Sequence, residues 1–259
     1  MGGVPKWLLV TLLLPENTTT PTLVTHITDQ IQTACQSFQI TLCGGHTEIT
    51  YGLDRPIAIG QMLGEVPKDR LVRSADARVG DDLILTKGIG IEATSIIARE
   101  RELELKTHFS ASFINSAKDY LFRLSVLKEA QIAVDTGGVH AMHDPTEGGI
   151  ATAVRELATA AEVGAEVWID RLIFPDETGA LCAFFDLDPL GVISSGALLI
   201  ATEPSRSQPI LEALTANQIP ASLIGKLLPL QEGLWLKRGT DRQPLPTFQT
   251  DEITKIFAD

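Results

Sequence analysis

The seven residues His143–Gly149, which read His-Asp-Pro-Thr-Glu-Gly-Gly, constrain the fold of this chain more than any other stretch. Pro145 fixes its own φ and disfavours the helical region for the residue before it, so a helix can begin only after this point. Thr146 has the side chain of an N-cap. Apolar residues then recur at helical spacing, at Ile150, Val154, Leu157 and Ala161. The segment therefore predicts a helix that begins at Thr146 and buries one apolar face.

The glycine pair Gly148-Gly149 falls in the first turn of this predicted helix, where glycine is less favourable than alanine. Two interpretations of the pair remain open. Bare backbone N–H groups at a helix N-terminus can bind a phosphate, and a divalent cation would then separate that phosphate from Asp144. Alternatively, the two glycines allow the helix to pack closely on a sheet.

Charge and composition exclude several classes of protein. A net charge of −12 argues against a nucleic-acid surface, so a phosphate ligand is expected to arrive as its Mg²⁺ complex. Cys35, Cys43 and Cys182 are odd in number and form no C-x-x-C pair, which indicates reduced thiols in the cytoplasm. The apolar run from Trp7 to Leu14 is far shorter than the roughly 20 residues that span a membrane. We predict no membrane segment and no signal peptide.

The Trp7–Leu14 run instead predicts a buried β-strand, which would start the chain almost inside its own core. Met1 is therefore expected not to be the natural beginning. Strands and helices alternate along the remainder, so the predicted class is α/β or α+β. Predicted helices cover about 20–38, 91–105, 111–133, 146–161 and 207–216. Predicted strands cover 40–43, 56–63, 82–86, 165–169, 197–201, 221–224 and 234–237, and a short helix is expected near the end.

The segment Gly44-Gly45-His46-Thr47-Glu48 follows a predicted strand. Its glycines would let the backbone approach a ligand, and its polar side chains could face a metal or a phosphate. A simple turn with a surface histidine explains the same residues. His26, on a predicted helix, and His108, on a polar turn, are expected to be structural or solvated.

The segment Lys87–Ala93 contains G-x-G-x-x-A after a predicted strand. A dinucleotide-binding site would require a second strand that ends in an acidic residue, whereas two helices follow here. A glycine-rich turn of this kind can still hold an anion, with Lys87 as a point charge. The sequence contains neither G-x-x-x-x-G-K-[ST] nor G-x-S-x-G, which excludes a standard P-loop and disfavours a serine hydrolase.

Three segments, Gly44–Glu48, Gly80–Gly90 and His143–Gly149, occur in an order and spacing that resemble one superfamily. Its members include aminoimidazole ribonucleotide (AIR) synthetase, the hydrogenase maturation factor HypE, selenophosphate synthetase and thiamine-monophosphate kinase. The Asp-Pro-Thr-x-Gly-Gly form is most similar to HypE and to AIR synthase-related proteins. A later stretch, from Asp188 to Leu199, also resembles the HypE-type C-terminal domain. The resemblance covers about Met1 to Lys226.

The resemblance implies a two-domain PurM-like fold, with a truncated N-terminal domain over 1–68 and a complete C-terminal domain over 69–259. It also implies a homodimer formed through the N-terminal domains, with ATP and Mg²⁺ bound between domains and across the dimer. The expected reaction is phosphoryl transfer to a small-molecule substrate, which depends chiefly on positioning and charge neutralisation. Asp144 is the expected metal ligand, and Lys87, Gly88 and Gly90 are expected to lie toward the acceptor. The residues expected to face the nucleotide are Gly44, Gly45, His46, Thr47, Glu48, Thr146, Gly148 and Gly149.

Two departures from the family pattern are visible in the sequence. Family members carry an earlier glycine-rich stretch, a Gly-Asp-Asp segment and an Asn-Asp pair, which would lie upstream of Met1. Asp81-Asp82 is not a substitute, because it begins the second domain. HypE ends in a cysteine that accepts a carbamoyl group, whereas this chain ends Lys255-Ile256-Phe257-Ala258-Asp259, so HypE chemistry itself is not expected. The alternatives are a non-catalytic dimeric binding or regulatory protein and a thiamine-monophosphate kinase.

Overall fold

A computed structural model describes residues 1–257. The last residue, Asp259, which stands where HypE has its cysteine, lies outside the described part of the chain. The chain divides into two compact units. One unit is Gly2–Leu71, called here the N-terminal unit. The other is Val72–Asp259 together with Met1, called here the C-terminal unit.

The N-terminal unit is a three-stranded sheet with one long helix. Its elements are β1 (Val4–Pro15), α1 (Pro21–Ser37), β2 (Thr41–Thr50), β3 (Ile57–Glu65) and a 3₁₀ turn at Lys68–Arg70. The central strand β1 pairs in parallel with β2 and antiparallel with β3. Helix α1 begins as its sequence predicts, because the Thr20 hydroxyl accepts a hydrogen bond from the Leu23 N–H at 3.2 Å.

Strand β1 confirms the predicted strand but not its predicted burial. Leu12 and Leu14 are buried, whereas Trp7 is 39% exposed. The prediction that Gly44–Glu48 is a loop after a strand is also wrong, because these residues lie inside β2. The backbone pairing of β2 with β1 continues through them to Thr50. Glycine makes this possible, since a Cβ on Gly45 would lie 1.8 Å from the Val10 carbonyl oxygen.

The C-terminal unit contains seven helices and seven strands within its described residues. The helices are α2 (Ile91–Glu100), α3 (Glu102–Leu105), α4 (Ala111–Lys118), α5 (Leu127–Thr136), α6 (Gly149–Ala160), α7 (Asp176–Phe184) and α8 (Pro204–Ala216). The strands are β4 (Asp82–Thr86), β5 (Val139–His143), β6 (Gly164–Trp168), β7 (Leu199–Thr202), β8 (Ala221–Leu228), β9 (Leu234–Arg238) and β10 (Asp241–Pro244). Short 3₁₀ turns occupy Ser74–Asp76, Asp119–Arg123, Ile169–Arg171, Leu230–Glu232 and Glu252–Ile256.

All seven strands form one sheet in the order β10-β9-β6-β8-β4-β7-β5. The pairing is antiparallel except between β6 and β9. Strand β4 is buried on both faces. Leu83 and Leu85 pack into one core cluster with α6, and Ile84 packs into another cluster with α8. Successive strand residues point to opposite faces, so the sheet carries helices on both sides.

The predicted helix over 111–133 is broken into α4, a 3₁₀ turn and α5. Tertiary contacts explain the interruption. Tyr120 is buried in the 3₁₀ turn, and its hydroxyl donates to Glu177 at 2.7 Å. The Lys87 ammonium donates to the carbonyl oxygens of Arg123 and Ser125, each at 2.8 Å. These two carbonyl oxygens therefore accept hydrogen bonds from Lys87, where the 3₁₀ turn ends and before α5 begins.

Candidate functional site

In the N-terminal unit, strands β1 and β2 and helix α1 border an open cavity of about 450 Å³. Four of the predicted nucleotide-facing residues line it, namely Gly44, Gly45, His46 and Thr47. Val10, Leu12, Leu42 and Ile31 supply an apolar wall, and Thr28 and Cys43 supply further polar atoms. Such a mainly apolar cleft with a few polar groups is typical of small-molecule sites.

The backbone beside this cavity is accessible. Strand β2 is at the edge of its three-stranded sheet, so one row of its N–H and C=O groups has no neighbouring strand within the unit. A Cβ on Gly44 would meet no atom within 4 Å. His46 and Glu48, two residues apart on one face, approach to 3.5 Å with both side chains more than half exposed. Such an exposed pair contributes little to stability and can rearrange around a ligand.

The Lys87 side chain occupies a different environment from the one its sequence suggests. Its ammonium forms an ion pair with the buried carboxylate of Glu129 and also donates to the Arg123 and Ser125 carbonyls. Burial lowers the pKa of Lys87, and the hydrogen bond to Glu129 acts in the opposite direction. An ammonium has three hydrogens, so all three are engaged within the chain. Contact with an acceptor substrate would require one of these bonds to break.

The glycines of the same loop are also held by their surroundings. The Gly90 N–H donates to the Ser194 hydroxyl at 2.8 Å, and the Ile89 N–H donates to the Ile173 carbonyl at 3.2 Å. A Cβ on Gly88 would lie 2.7 Å from that same Ile173 carbonyl oxygen. The expected role of Gly88 and Gly90 beside an acceptor substrate stays a prediction, and their packing alone accounts for glycine.

The His143–Gly149 segment exposes its two carboxylates and buries its proline and both glycines. Asp144 and Glu147 are exposed, whereas Gly148 and Gly149 are buried. Thr146 is not the N-cap, because α6 begins at Gly149 and Gly148 holds the cap position in the left-handed conformation. The Thr146 carbonyl oxygen instead accepts the Gly149 N–H at 3.0 Å.

A distant carboxylate replaces the missing cap. Asp251 accepts the Gly148 N–H at 2.7 Å, from 103 residues along the chain. A Cβ on Gly149 would lie 2.6 Å from the Val192 carbonyl oxygen and 2.7 Å from that of Leu190. The backbone groups that the sequence offered to a phosphate are therefore bound within the fold. Close packing, the second of the two interpretations, explains Gly149.

The structure also pairs two histidines with carboxylates, His140, which the sequence patterns did not single out, and His143, whose partner they did not indicate. His140 Nδ1 lies 2.9 Å from both carboxylate oxygens of the buried Asp81. His143 Nε2 lies 2.8 Å from Glu156. The first pair spans 59 residues and the second 13, so neither has a local signature that could have identified it.

No protein cage for a metal ion is present among residues 1–257. Nowhere in this part of the chain do three or more His, Cys, Asp or Glu side chains come together in a way that could hold a metal. Mg²⁺ commonly takes one or two carboxylates and completes its octahedron with water and substrate phosphates. The exposed Asp144 carboxylate suits such a role, but only alongside a phosphate ligand.

The two units match two domain families. Residues 1–66 match the AIR synthase related protein N-terminal domain, and residues 78–233 match the C-terminal domain of the same family. The chain therefore belongs to the AIR synthase-related family and has its mixed α/β, PurM-like fold. Among residues 1–257, none of the helices combines the length and apolar character needed to cross a bilayer.

Several relatives resemble the chain over most of its length. The chain is similar to a proposed hydrogenase expression/formation protein of Methanocaldococcus jannaschii, with 24% identity over 99% of this chain and 74% of the relative. It is 27% identical to carbamoyl dehydratase HypE of Rhizobium leguminosarum bv. viciae, over 88% of this chain and 63% of that protein. Selenide, water dikinase of Pasteurella multocida is 26% identical over 88% and 68%.

Solved structures share the fold at low sequence identity. HypE in complex with ATP superposes with a TM-score of 0.83 and 19% identity, over 97% of this chain and 76% of that one. The Aquifex-type thiamine monophosphate kinase bound to AMPPCP and TMP gives a TM-score of 0.72 and 21% identity, over 93% and 73%. These structural similarities show the fold but not the reaction.

Proposed function

We propose that this chain acts in an ATP-dependent enzyme that transfers a phosphoryl group from Mg²⁺-bound ATP to a small-molecule acceptor. Relatives of the family include a carbamoyl dehydratase and a selenide, water dikinase, and two structural neighbours were solved with ATP or its analogue. The observation that carries the proposal is the cavity beside β2. Two glycines of this edge strand and several apolar side chains line it.

The residues of this strand fit a nucleotide. Gly44 leaves the backbone uncovered for close approach, and Thr47 and His46 contribute hydrogen-bonding groups to the same cavity. Mg²⁺, when bound with the nucleotide, supplies neutralisation of the phosphate charge. Asp144, an exposed carboxylate of the C-terminal unit, is proposed as a metal ligand from the family motif that also contains Thr146, independently of the cavity beside β2. Gly148 and Gly149 serve the site indirectly, by fixing the loop that carries Asp144.

Calorimetric titration with ATP, in the presence and absence of Mg²⁺, tests the proposal. We expect binding that requires Mg²⁺ and that Asp144→Asn weakens at least tenfold, because one metal ligand loses its charge. Glu147→Gln is the matched control, since it removes an equally exposed carboxylate from the same loop. Binding that ignores Mg²⁺, or an equal loss in both variants, would remove Asp144 from the metal site.

We also propose that the N-terminal unit is covered by a second copy of the chain. Its strands β2 and β3 expose apolar side chains, each 37% to 61% accessible, at Leu42, Ile49, Ile57, Ile59, Met62 and Leu63. Cross-strand pairing puts Ile57, Ile59 and Leu63 on one face of the sheet. Exposed apolar side chains grouped on one face mark an interaction site. A homodimer would bury these side chains and pair the open strand edges. A reducing cytoplasmic location is consistent with the three free thiols.

A non-catalytic binding protein remains the second candidate. It is favoured by the internal satisfaction of Lys87, whose ammonium is paired with Glu129. A folded chain that fails to bind Mg²⁺-ATP would support this candidate. The structural neighbour bound to TMP suggests a third, thiamine-monophosphate kinase activity, which is tested by following phosphorylation of that one substrate.

A further inference from the structure

The chain continues past the matched C-terminal family domain as a strap, defined here as residues 245–257. Arg155 of helix α6 holds the first part of the strap. Its guanidinium donates to the carbonyl oxygens of Leu245 at 3.1 Å and Pro246 at 3.3 Å, and to the Thr247 hydroxyl at 2.8 Å. The strap therefore lies against the same helix that follows the His143–Gly149 segment.

The second part of the strap is anchored independently. The Glu252 N–H donates to the Gly191 carbonyl at 3.1 Å, and the Glu252 carboxylate accepts the Asp188 N–H at 2.9 Å. Ile253 and Ile256 are buried in a core cluster of the C-terminal unit. These contacts hold the strap in place on both sides of Asp251.

Asp251 is the residue through which the strap contacts Gly148, at the start of α6. Its side chain is buried, and its two oxygens have different partners. One oxygen accepts the N–H of Ile253 at 2.9 Å and so caps the strap's own 3₁₀ turn. The other accepts the N–H of Gly148 at 2.7 Å, at the start of α6, where no side chain of the helix supplies a cap. A carboxylate is favourable there because of the helix dipole.

We propose that Asp251 is a positioning residue that fixes the loop Asp144–Glu147 through the backbone of Gly148. Asp144 and Glu147 of this loop are exposed and Pro145 is buried, so the loop is held at Pro145 and at the point where Gly148 joins α6. A hydrogen bond to a charged acceptor is shorter and about twice as strong as one between neutral groups. The strap thereby helps to set the direction of the proposed metal ligand. Only this last consequence rests on the proposed function.

The variant Asp251→Ser separates the two bonds of the carboxylate. A serine hydroxyl can still cap Ile253, as serine does at helix starts, but it is one bond too short to reach Gly148 as well. Lys255→Ala is the control in the same strap, because the exposed Lys255 pairs with the Glu252 carboxylate and makes no hydrogen bond to Asp251. Two measurements are made on the full chain: amide exchange by NMR, and titration with ATP and Mg²⁺.

In Asp251→Ser we expect the Gly148 amide to exchange at least tenfold faster, while the strap amides of Leu245 and Glu252 keep their protection. We also expect Mg²⁺-dependent ATP binding to weaken about tenfold, the usual effect of losing a group that orients a metal ligand. Lys255→Ala should change neither measurement.

Unchanged exchange at Gly148 in Asp251→Ser would overturn the inference. Equal loss of protection at Leu245 and Glu252, or general unfolding, would also overturn it, because Asp251 would then hold the strap or the whole unit and not the loop. If the wild-type chain binds no Mg²⁺-ATP, the proposed function fails, but exchange at Gly148 still decides whether Asp251 fixes the loop.

Discussion

The chain contains two glycine pairs in its candidate motifs, and their surroundings differ. Gly44-Gly45 lies within the edge strand β2, where Gly44 faces open space and only Gly45 touches the neighbouring strand. Gly148-Gly149 lies buried at the start of α6, with both N–H groups bound within the chain. An accessible backbone can accept a ligand, whereas a satisfied one serves the fold. The same dipeptide thus has opposite consequences in the two units.

The difference extends to the units themselves. The C-terminal unit buries three apolar clusters around its sheet. The N-terminal unit leaves most residues of β2 and β3 exposed, including large apolar ones. We infer that the N-terminal unit carries the open backbone and the apolar surface for a partner, and that the C-terminal unit holds its candidate residues in a packed core. Four experiments test this contrast.

The largest effect is expected at Gly149. Gly149→Ala should lower the free energy of unfolding by about 4 kcal/mol, because φ is +61° and the new Cβ would clash with two carbonyl oxygens. Urea denaturation measures the change. Gly179→Ala is the control: this helical glycine has open space around it, so alanine should stabilise by about 0.5–1 kcal/mol. A tolerated Gly149→Ala would contradict the close packing of α6.

Next in size is the buried ion pair of Lys87. Lys87→Met should destabilise the C-terminal unit by about 3 kcal/mol, because it leaves the Glu129 carboxylate buried and unpaired. Adding Glu129→Leu should recover most of that loss, since no charge then remains in the site. Denaturation of the two variants and of Glu129→Leu alone gives the coupling between the residues. Additive effects would show that Lys87 is free enough to contact a substrate.

A smaller effect, of about 2 kcal/mol in association, is expected at the exposed sheet. Ile59→Asp in β3 should weaken self-association roughly thirtyfold, because a charge would be buried in the proposed dimer. Sedimentation equilibrium measures the change. Leu103→Asp is the control from the other unit, where an even more exposed leucine lies outside the proposed interface. Equal behaviour of the two variants would contradict a dimer through the N-terminal unit.

The smallest perturbation is chemical labelling of the thiols. At pH 8 we expect Cys43, which is exposed on β2, to react rapidly with a thiol reagent, and Cys35 and Cys182 to react slowly. Burial, together with the nearby carboxylates Asp188 and Glu252, raises the pKa of Cys182 to about 12, so this thiol stays protonated. Mass spectrometry identifies the labelled residue. Rapid labelling of Cys182 would show that the C-terminal unit opens readily.

Local sequence determined several elements of the fold. Thr20 and Pro21 specify the start of α1, and alternation or apolar runs specify β1, β4 and β6, because caps and side-chain periodicity act within one or two turns. The order of the three motifs also identified the family. Strand β5, helix α7 and strand β10 were not predicted, and the helix over 111–133 was predicted as continuous. In these cases distant contacts override local preference.

The candidate site shows the same division. The residues of the Gly44–Glu48 and His143–Gly149 segments can be read directly from the sequence, but their surroundings cannot. Thr146 has a suitable side chain for a cap, yet Asp251, 103 residues away, bonds to the start of α6. Lys87 has a suitable charge for a substrate, yet Glu129 neutralises it. Sequence fixes which groups are present, whereas tertiary structure decides which remain unpaired, because a buried donor or acceptor must find its partner wherever folding brings one.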